Sequence, residues 1–222
     1  MAREGLARLA ATALLTASLS GIAAASQATE QYVVQLVPLN AETPDQAINA
    51  VAAFAVDDGR LTITIAVNGL APDVMHMQHY HGFLGGDDAT CPTALADANG
   101  DGFIDLAETE LVAGTAMVPL HADPASLEFA SATYPVADET GAIRYQKTVS
   151  LDRLRKTLQD RLGVPEFDLE KLVLIVHGVA PDAELPASAR SRPGVPAYMT
   201  LPVAAASSTA WNDEAADADR AG

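Results

Sequence analysis

The chain has 222 residues, 49% of them hydrophobic, and 29 acidic against 13 basic side chains give it a formal net charge of −16 with histidines neutral. That length and apolar content suffice for one well-cored domain, and the acidic excess excludes nucleic acid or an anionic membrane surface as an expected partner while suiting cations. Cys91 is the one cysteine, so no internal disulfide can form, and the thiol is either buried and inert or paired with another chain in a homodimer.

The chain opens with Arg3 and Arg8, followed by the apolar, small-residue run LAATALLTASLSGIAAAS. A short basic region, an apolar stretch of this length and the small residues Ala23, Ala24 and Ala25 predict a secretory signal peptide over residues 1–25. The mature protein is then periplasmic or secreted. No cysteine follows the apolar run to carry a lipid, and no later segment reaches the ~18 apolar residues of a membrane span.

Residues 30–206 are expected to form one domain, and the polar, small-residue segment 207–222 a disordered tail. Short runs rich in Val, Ile and Thr predict strands over 31–39, 50–58 and 60–70, with Asp58-Gly59 as a hairpin turn between the last two. Further strands are predicted over 126–134, 142–151, 171–179 and 197–205. Helical spacing recurs at Leu151, Leu154, Leu158 and Leu162, with Ser150 as N-cap and Gly163 as stop. The expected fold is all-β: an antiparallel Greek-key β-sandwich with one long loop insertion and one short helix.

The stretch VMHMQHYHGF (74–83) holds three of the five histidines. On a strand, residues two apart share a face, so His79 and His81 point the same way, roughly 6–7 Å apart at the backbone. Met75 and Met77 share that parity, and His76, Gln78 and Tyr80 oppose it. Two imidazoles make half of a transition-metal site. His177, at the end of the apolar strand LVLIVHGV, is the candidate third ligand; His121, in PLHADP, is a weaker one. Thioethers nearby favour copper, although methionines on a strand face are more often core. A hydrolytic three-histidine zinc site would need a partner base, and no H-E-x-x-H or G-x-S-x-G motif occurs.

The segment DANGDGFIDLAE, Asp97 to Glu108, matches the EF-hand calcium loop at every ligand position. Asp97, Asn99 and Asp101 fill positions 1, 3 and 5, and Gly102 makes the turn at 6. Phe103 offers its carbonyl at 7, Asp105 stands at 9, and Glu108 at 12 can bind with both oxygens. Ile104, at position 8, would pair with a second loop, but the sequence holds no second copy. A single loop in an exported chain predicts structural calcium.

The segment NGLAPDVMHMQHYHGFLGGDDATC resembles copper/zinc superoxide dismutases, in which Gly-Leu and a turn lead to His-Gly-Phe-His-x-His, an acidic loop and a cysteine. KLVLIVHGVAPDAEL and TLPVAAAS resemble that family's last two strands, and the chordin-type CHRD domain shows a similar order. The resemblance covers most of residues 45–206 and is strongest at 68–91 and 171–182. It implies a dismutase-like fold with His79, His81 and His177 as copper ligands, His76 as a structural histidine and Cys91 as the disulfide cysteine. The departures are equally specific. The loop that carries the bridging histidine and the zinc ligands is replaced by the calcium loop, with only His121 near it; alanine stands near 205 where the second disulfide cysteine would lie, and Arg190 and Arg192 lie too early in sequence for the family's guiding arginine. Two functions are therefore expected to compete: a non-catalytic exported β-sandwich with calcium and a three-histidine copper site, and a copper-dependent superoxide dismutase-type oxidoreductase. Convergence of the three imidazoles discriminates a metal site from a hydrogen-bonded cluster.

Overall fold

The computed structural model describes residues 30–40, 48–130, 132–164 and 166–207. The expected leader lies outside these residues, as does the expected tail apart from Ser207. The described strands are β1 (Glu30–Pro38), β2 (Asn49–Asp57), β3 (Arg60–Asn68), β4 (Gln78–Gly82), β5 (Thr115–Pro119), β6 (Ile143–Ser150), β7 (Val173–His177) and β8 (Pro202–Ser207). They form one antiparallel sheet in the order β5-β4-β7-β8-β1-β2-β3-β6. Strand β1 joins its two halves, pairing with β2 through Leu36 and with β8 at Val37 and Pro38. The sheet curls there, so that Phe54 of β2 meets Tyr80 of β4 with ring centroids 5.8 Å apart.

The half formed by β1, β2, β3 and β6 follows the simple alternation of its sequence. Leu61, Ile63, Ile65 and Val67 of β3 are fully buried, while Thr62 and Thr64 between them are half-exposed. Asp58 and Gly59, both at positive φ, close the β2–β3 hairpin, the backbone that a two-residue turn of this kind requires. The other half is covered on both sides. Leu174 and Val176 of β7 join the main core with Ala204 and Ala206 of β8. Val173 and Ile175 enter a second cluster with Ala89, Ile104, Ala113 and Ala205. The insertion after β4 therefore acts as a cover, packing apolar residues of the acidic loop onto the outer face of β7 and β8. This explains why VLIVH reads as an unbroken apolar run.

Three expectations are corrected. The described residues of 126–134 form no strand: Pro124–Ser126 is a 3₁₀ turn, Leu127 takes a left-handed conformation, and Ser126 bonds the Asp123 carbonyl through its hydroxyl. Local side-chain-to-backbone bonding and a proline outweigh β-propensity there. The strand expected from 197 begins only at Pro202, because Ala197–Thr200 makes a helical turn, α3, after Pro196. The helix Leu151–Leu162, here α2, is joined by α1 at Leu106–Ala113, so the single expected helix has a counterpart inside the insertion. Strand β5, directly after α1, has no clear sequence signal because its five residues are too few to show a period.

Gly114 links α1 to β5 at φ +73°, and a Cβ there would overlap the backbone of Gly82 and come within 2.8 Å of the Phe83 nitrogen. Gly114→Ala is expected to cost about 3 kcal/mol, from positive φ and backbone overlap together. Urea unfolding measures it, and a loss under about 1 kcal/mol would show that the close approach is dispensable.

Candidate metal centre

Strand β4 lies between β5 and β7, with His79 opposite Ile175 and His81 opposite Val173. The His177 amide donates to the Met77 carbonyl at 2.8 Å, so Met77, His79 and His81 share a face with His177. All three histidines are buried, with at most 6% of their surface exposed. Their ring centroids are 5.2–5.9 Å apart. One nitrogen from each lies within 4.8 Å of the others, and among the described residues this is the group of three His, Cys, Asp or Glu side chains that converges so closely.

The outer hydrogen bonds determine which nitrogens are bare. His81 Nδ1 lies 3.1 Å from the Gly114 carbonyl, and His177 Nδ1 lies 2.9 Å from the Thr200 carbonyl. A carbonyl only accepts, so both Nδ1 atoms carry hydrogen, and in the neutral rings both Nε2 atoms are lone pairs. Those two Nε2 atoms face each other at 3.3 Å. On His79, Nε2 meets the Tyr134 hydroxyl at 2.9 Å, and Nδ1 is buried without a hydrogen-bond partner. Each ring thus has one nitrogen committed outward and one left over.

The rings are also held neutral. Burial is the main cause for all three, lowering His81 to about 3, His177 to about 4 and His79 well below its ordinary value. The Arg192 charge lowers each further, and the histidines disfavour one another's protonation. Three neutral imidazoles that converge in this way are the donor set that a borderline transition metal takes. An N···N separation near 3.3 Å is what two ~2.0 Å metal–nitrogen bonds at a tetrahedral angle span. The residues fit a metal ion, and Tyr134, Gly114 and Thr200 supply the outer contacts that orient its ligands.

Tyr134→Phe removes the outer partner of His79 alone. Affinity for a metal ion at the histidines should fall about 10-fold, with a stability loss of about 1 kcal/mol. Competitive titration against a chelator and urea unfolding separate the two, and unchanged affinity would remove Tyr134 from the site.

The remaining histidines are occupied elsewhere. His121 accepts from the Asp123 amide at Nδ1 (3.0 Å) and meets the Glu128 carbonyl at Nε2 (2.8 Å), so it ties its own loop and has no nitrogen for a metal. His76 lies between the carbonyls of Ala71 and His177, each 3.1 Å from a ring nitrogen, and its one N–H donates to either of them, so the ring packs the turn before β4 against the end of β7. Met77 lines the cavity in front of the histidines, whereas Met75 bridges to Val136 away from them. Cys91 is half-buried beside the second apolar cluster, and burial pushes its thiol up.

The acidic loop closes on its own backbone. Asp97 accepts from the amides of Gly100, Asp101 and Gly102, and Asn99 and Asp101 each accept from the amide two residues on. Asp105 and Glu108 form the capping box of α1, and Glu108 also reaches back to the amides of Ala98 and Asn99 at 3.0 and 3.2 Å. Ile104, without a second loop, finds a substitute in Asn40. The Asn40 side chain accepts from the Ile104 amide at 2.7 Å and donates to its carbonyl at 3.0 Å. One carboxamide thus provides the paired bonds that a facing strand would.

Arg192 is a site residue that sequence order obscures. The segment after β7 returns over α1, placing Arg192 at the histidine cavity and Arg190 on Asp105 and Glu108. SARSRPG alone contains no signal for either placement. In the comparisons with known proteins, no family model and no curated protein matches the chain.

Proposed function

We propose that the chain is an exported metalloprotein in which His79, His81 and His177 bind one copper ion, on a dismutase-like Greek-key β-sandwich stiffened by calcium in the loop Asp97–Glu108. The observation that carries the copper reading is the hydrogen-bond pattern: three buried neutral rings, each anchored by one nitrogen, leave one nitrogen apiece for a shared cation. Met77 beside them favours copper over zinc. The curled sheet with facing inner sides supports the two leaves of a sandwich. No described helix is long and apolar enough to cross a membrane, and the acidic surface suits cations rather than nucleic acid. The raised thiol of Cys91 favours an inert cysteine over a disulfide-linked homodimer.

The test is metal content and Cu(II) electron paramagnetic resonance on the mature chain after copper loading and desalting. One copper per chain with a nitrogen-rich signal supports the reading; copper that washes off completely overturns it.

Calcium is supported by the complete ligand spacing and by Glu108, which folds back across the start of the loop. Saturating calcium is expected to raise the melting temperature by about 5–10 °C, the effect of a ligand near 100 times its Kd on a chain of this size. Asp101→Asn should remove most of that rise. A melting curve indifferent to calcium and chelator would leave the loop self-sufficient.

The second reading, superoxide dismutation at the same copper, is favoured by one observation: Arg192 sets a positive charge beside the histidines of an otherwise acidic chain. Copper-loaded protein that does not accelerate superoxide loss above free-copper controls would exclude it.

A further inference from the structure

The space in front of the histidines is larger and more apolar than a bare metal site requires. It measures about 190 Å³, with His79, His81 and His177 on one side and Met77, Leu106, Ala116, Phe129 and Val195 among its walls. A dry cavity of about 150 Å³ with such walls accommodates benzene, so this one has room for a six-membered ring and a small substituent. Phe129 lies with its ring centroid 5.6 Å from that of His79, which offers a flat ligand aromatic neighbours.

Arg192 supplies the polar feature that would orient such a ligand. Its guanidinium bonds through Nη2 alone, to Thr115 Oγ1 at 3.3 Å and Glu110 Oε1 at 3.5 Å. Both contacts are long, and Glu110 is itself partly exposed. Nε and Nη1 have no partner among the described residues, so each can donate a hydrogen bond to a carboxylate oxygen, and the long Nη2 contacts can yield to a second one. Arg192 and Leu106 also line an outer groove with Ala107, Glu110 and Pro193, and this groove gives a way in from solvent.

We propose that this cavity binds a small organic monocarboxylate with a compact apolar ring, its body between Phe129, Met77 and Val195 and its carboxylate on Arg192. The site shares the histidine face with the proposed copper centre, but its walls and its arginine are present without metal. The cavity and copper readings therefore stand or fall separately.

The test is calorimetric titration of the chelator-treated full chain with benzoate. One site with a Kd of about 0.1–1 mM is expected for a ligand of this size. Benzyl alcohol, which keeps the ring without the charge, and acetate, which keeps the charge without the ring, should each bind at least about 10-fold more weakly. Arg192→Gln, on an exposed segment, should weaken benzoate about 10-fold or more, and Ala116→Leu should block the cavity. If Ala116→Leu fails to fold by circular dichroism, Val195→Phe fills the space from the opposite wall. Absence of benzoate binding, or binding unchanged by Arg192→Gln and by a folded cavity-filling variant, overturns the proposal. Copper retention is scored on the same preparations: copper without benzoate rejects the cavity alone, and benzoate without copper rejects the metal alone.

Discussion

A His177→Ala chain should fold and yet lose more than about 100-fold in copper affinity, beyond the 10–100-fold typical of losing an outer partner. His177 is the one proposed ligand outside β4, so its removal leaves a pair of histidines on a single strand. The ring is 2% exposed, and truncating it opens a space and frees the Thr200 carbonyl, at about 2–3 kcal/mol of stability. Part of that loss is offset, because His81 Nε2 no longer faces a second lone pair at 3.3 Å. The backbone carbonyl that His76 faces is retained, so the packing of the turn before β4 against β7 survives. Copper content after desalting and the nitrogen hyperfine pattern report the outcome. His121→Ala is the matched control: it also removes a buried imidazole, but one whose two nitrogens are both engaged, so copper should be retained. Equal loss in both variants would trace the effect to unfolding, and equal retention would end the three-histidine assignment.

The histidines that the fold brings together were legible as a group because two independent patterns converge on them. Strand parity fixes His79 and His81 on one face, and His177 interrupts a strand otherwise wholly apolar. The acidic loop was legible for a different reason: its spacing is contiguous in the chain and needs no tertiary information. Arg192, Gly114, Tyr134 and Thr200 contribute through loops whose paths the sequence does not encode locally. Tyr134 illustrates this. It stands in a segment with the composition of a strand, but Pro124, the left-handed Leu127 and the bonds of His121 wind that segment into a loop, which delivers the hydroxyl to His79. Arg192 reaches the cavity only because residues after β7 fold back over α1, where Arg190 is held by two buried carboxylates. The acidic loop therefore also anchors the strap that brings Arg192 to the cavity, a placement that sequence position does not announce.

Acid should unfold the metal-free chain earlier and more steeply than surface carboxylates alone would dictate. His79, His81 and His177 are each held neutral by burial, with His81 lowered to about 3 and His177 to about 4, whereas an unfolded histidine titrates near ~6.5. Between those values the unfolded chain binds more protons than the folded one, so stability rises with pH across the window. The contribution is complete above about pH 6.5 and is lost for His177 as pH falls through about 4 and for His81 as it falls through about 3. Each histidine adds a slope of up to about 1.4 kcal/mol per pH unit, so three together can remove several kcal/mol between pH 6 and 4.5, before most carboxylates protonate. Urea unfolding of chelator-treated protein across pH 4.5–7.5 measures that slope, and in His177→Ala it should fall without vanishing, because His76, His79 and His81 are still held below their ordinary value by burial. Copper adds a second dependence of the same sign, since protons compete for the nitrogens that the metal occupies. Copper-loaded protein should accordingly stay folded further into acid and then lose metal and structure together. A stability profile flat from pH 7.5 to 4.5 in the metal-free chain would mean that the three rings find proton acceptors or water on protonation, and the hydrogen-bond pattern assigned to them would then be wrong.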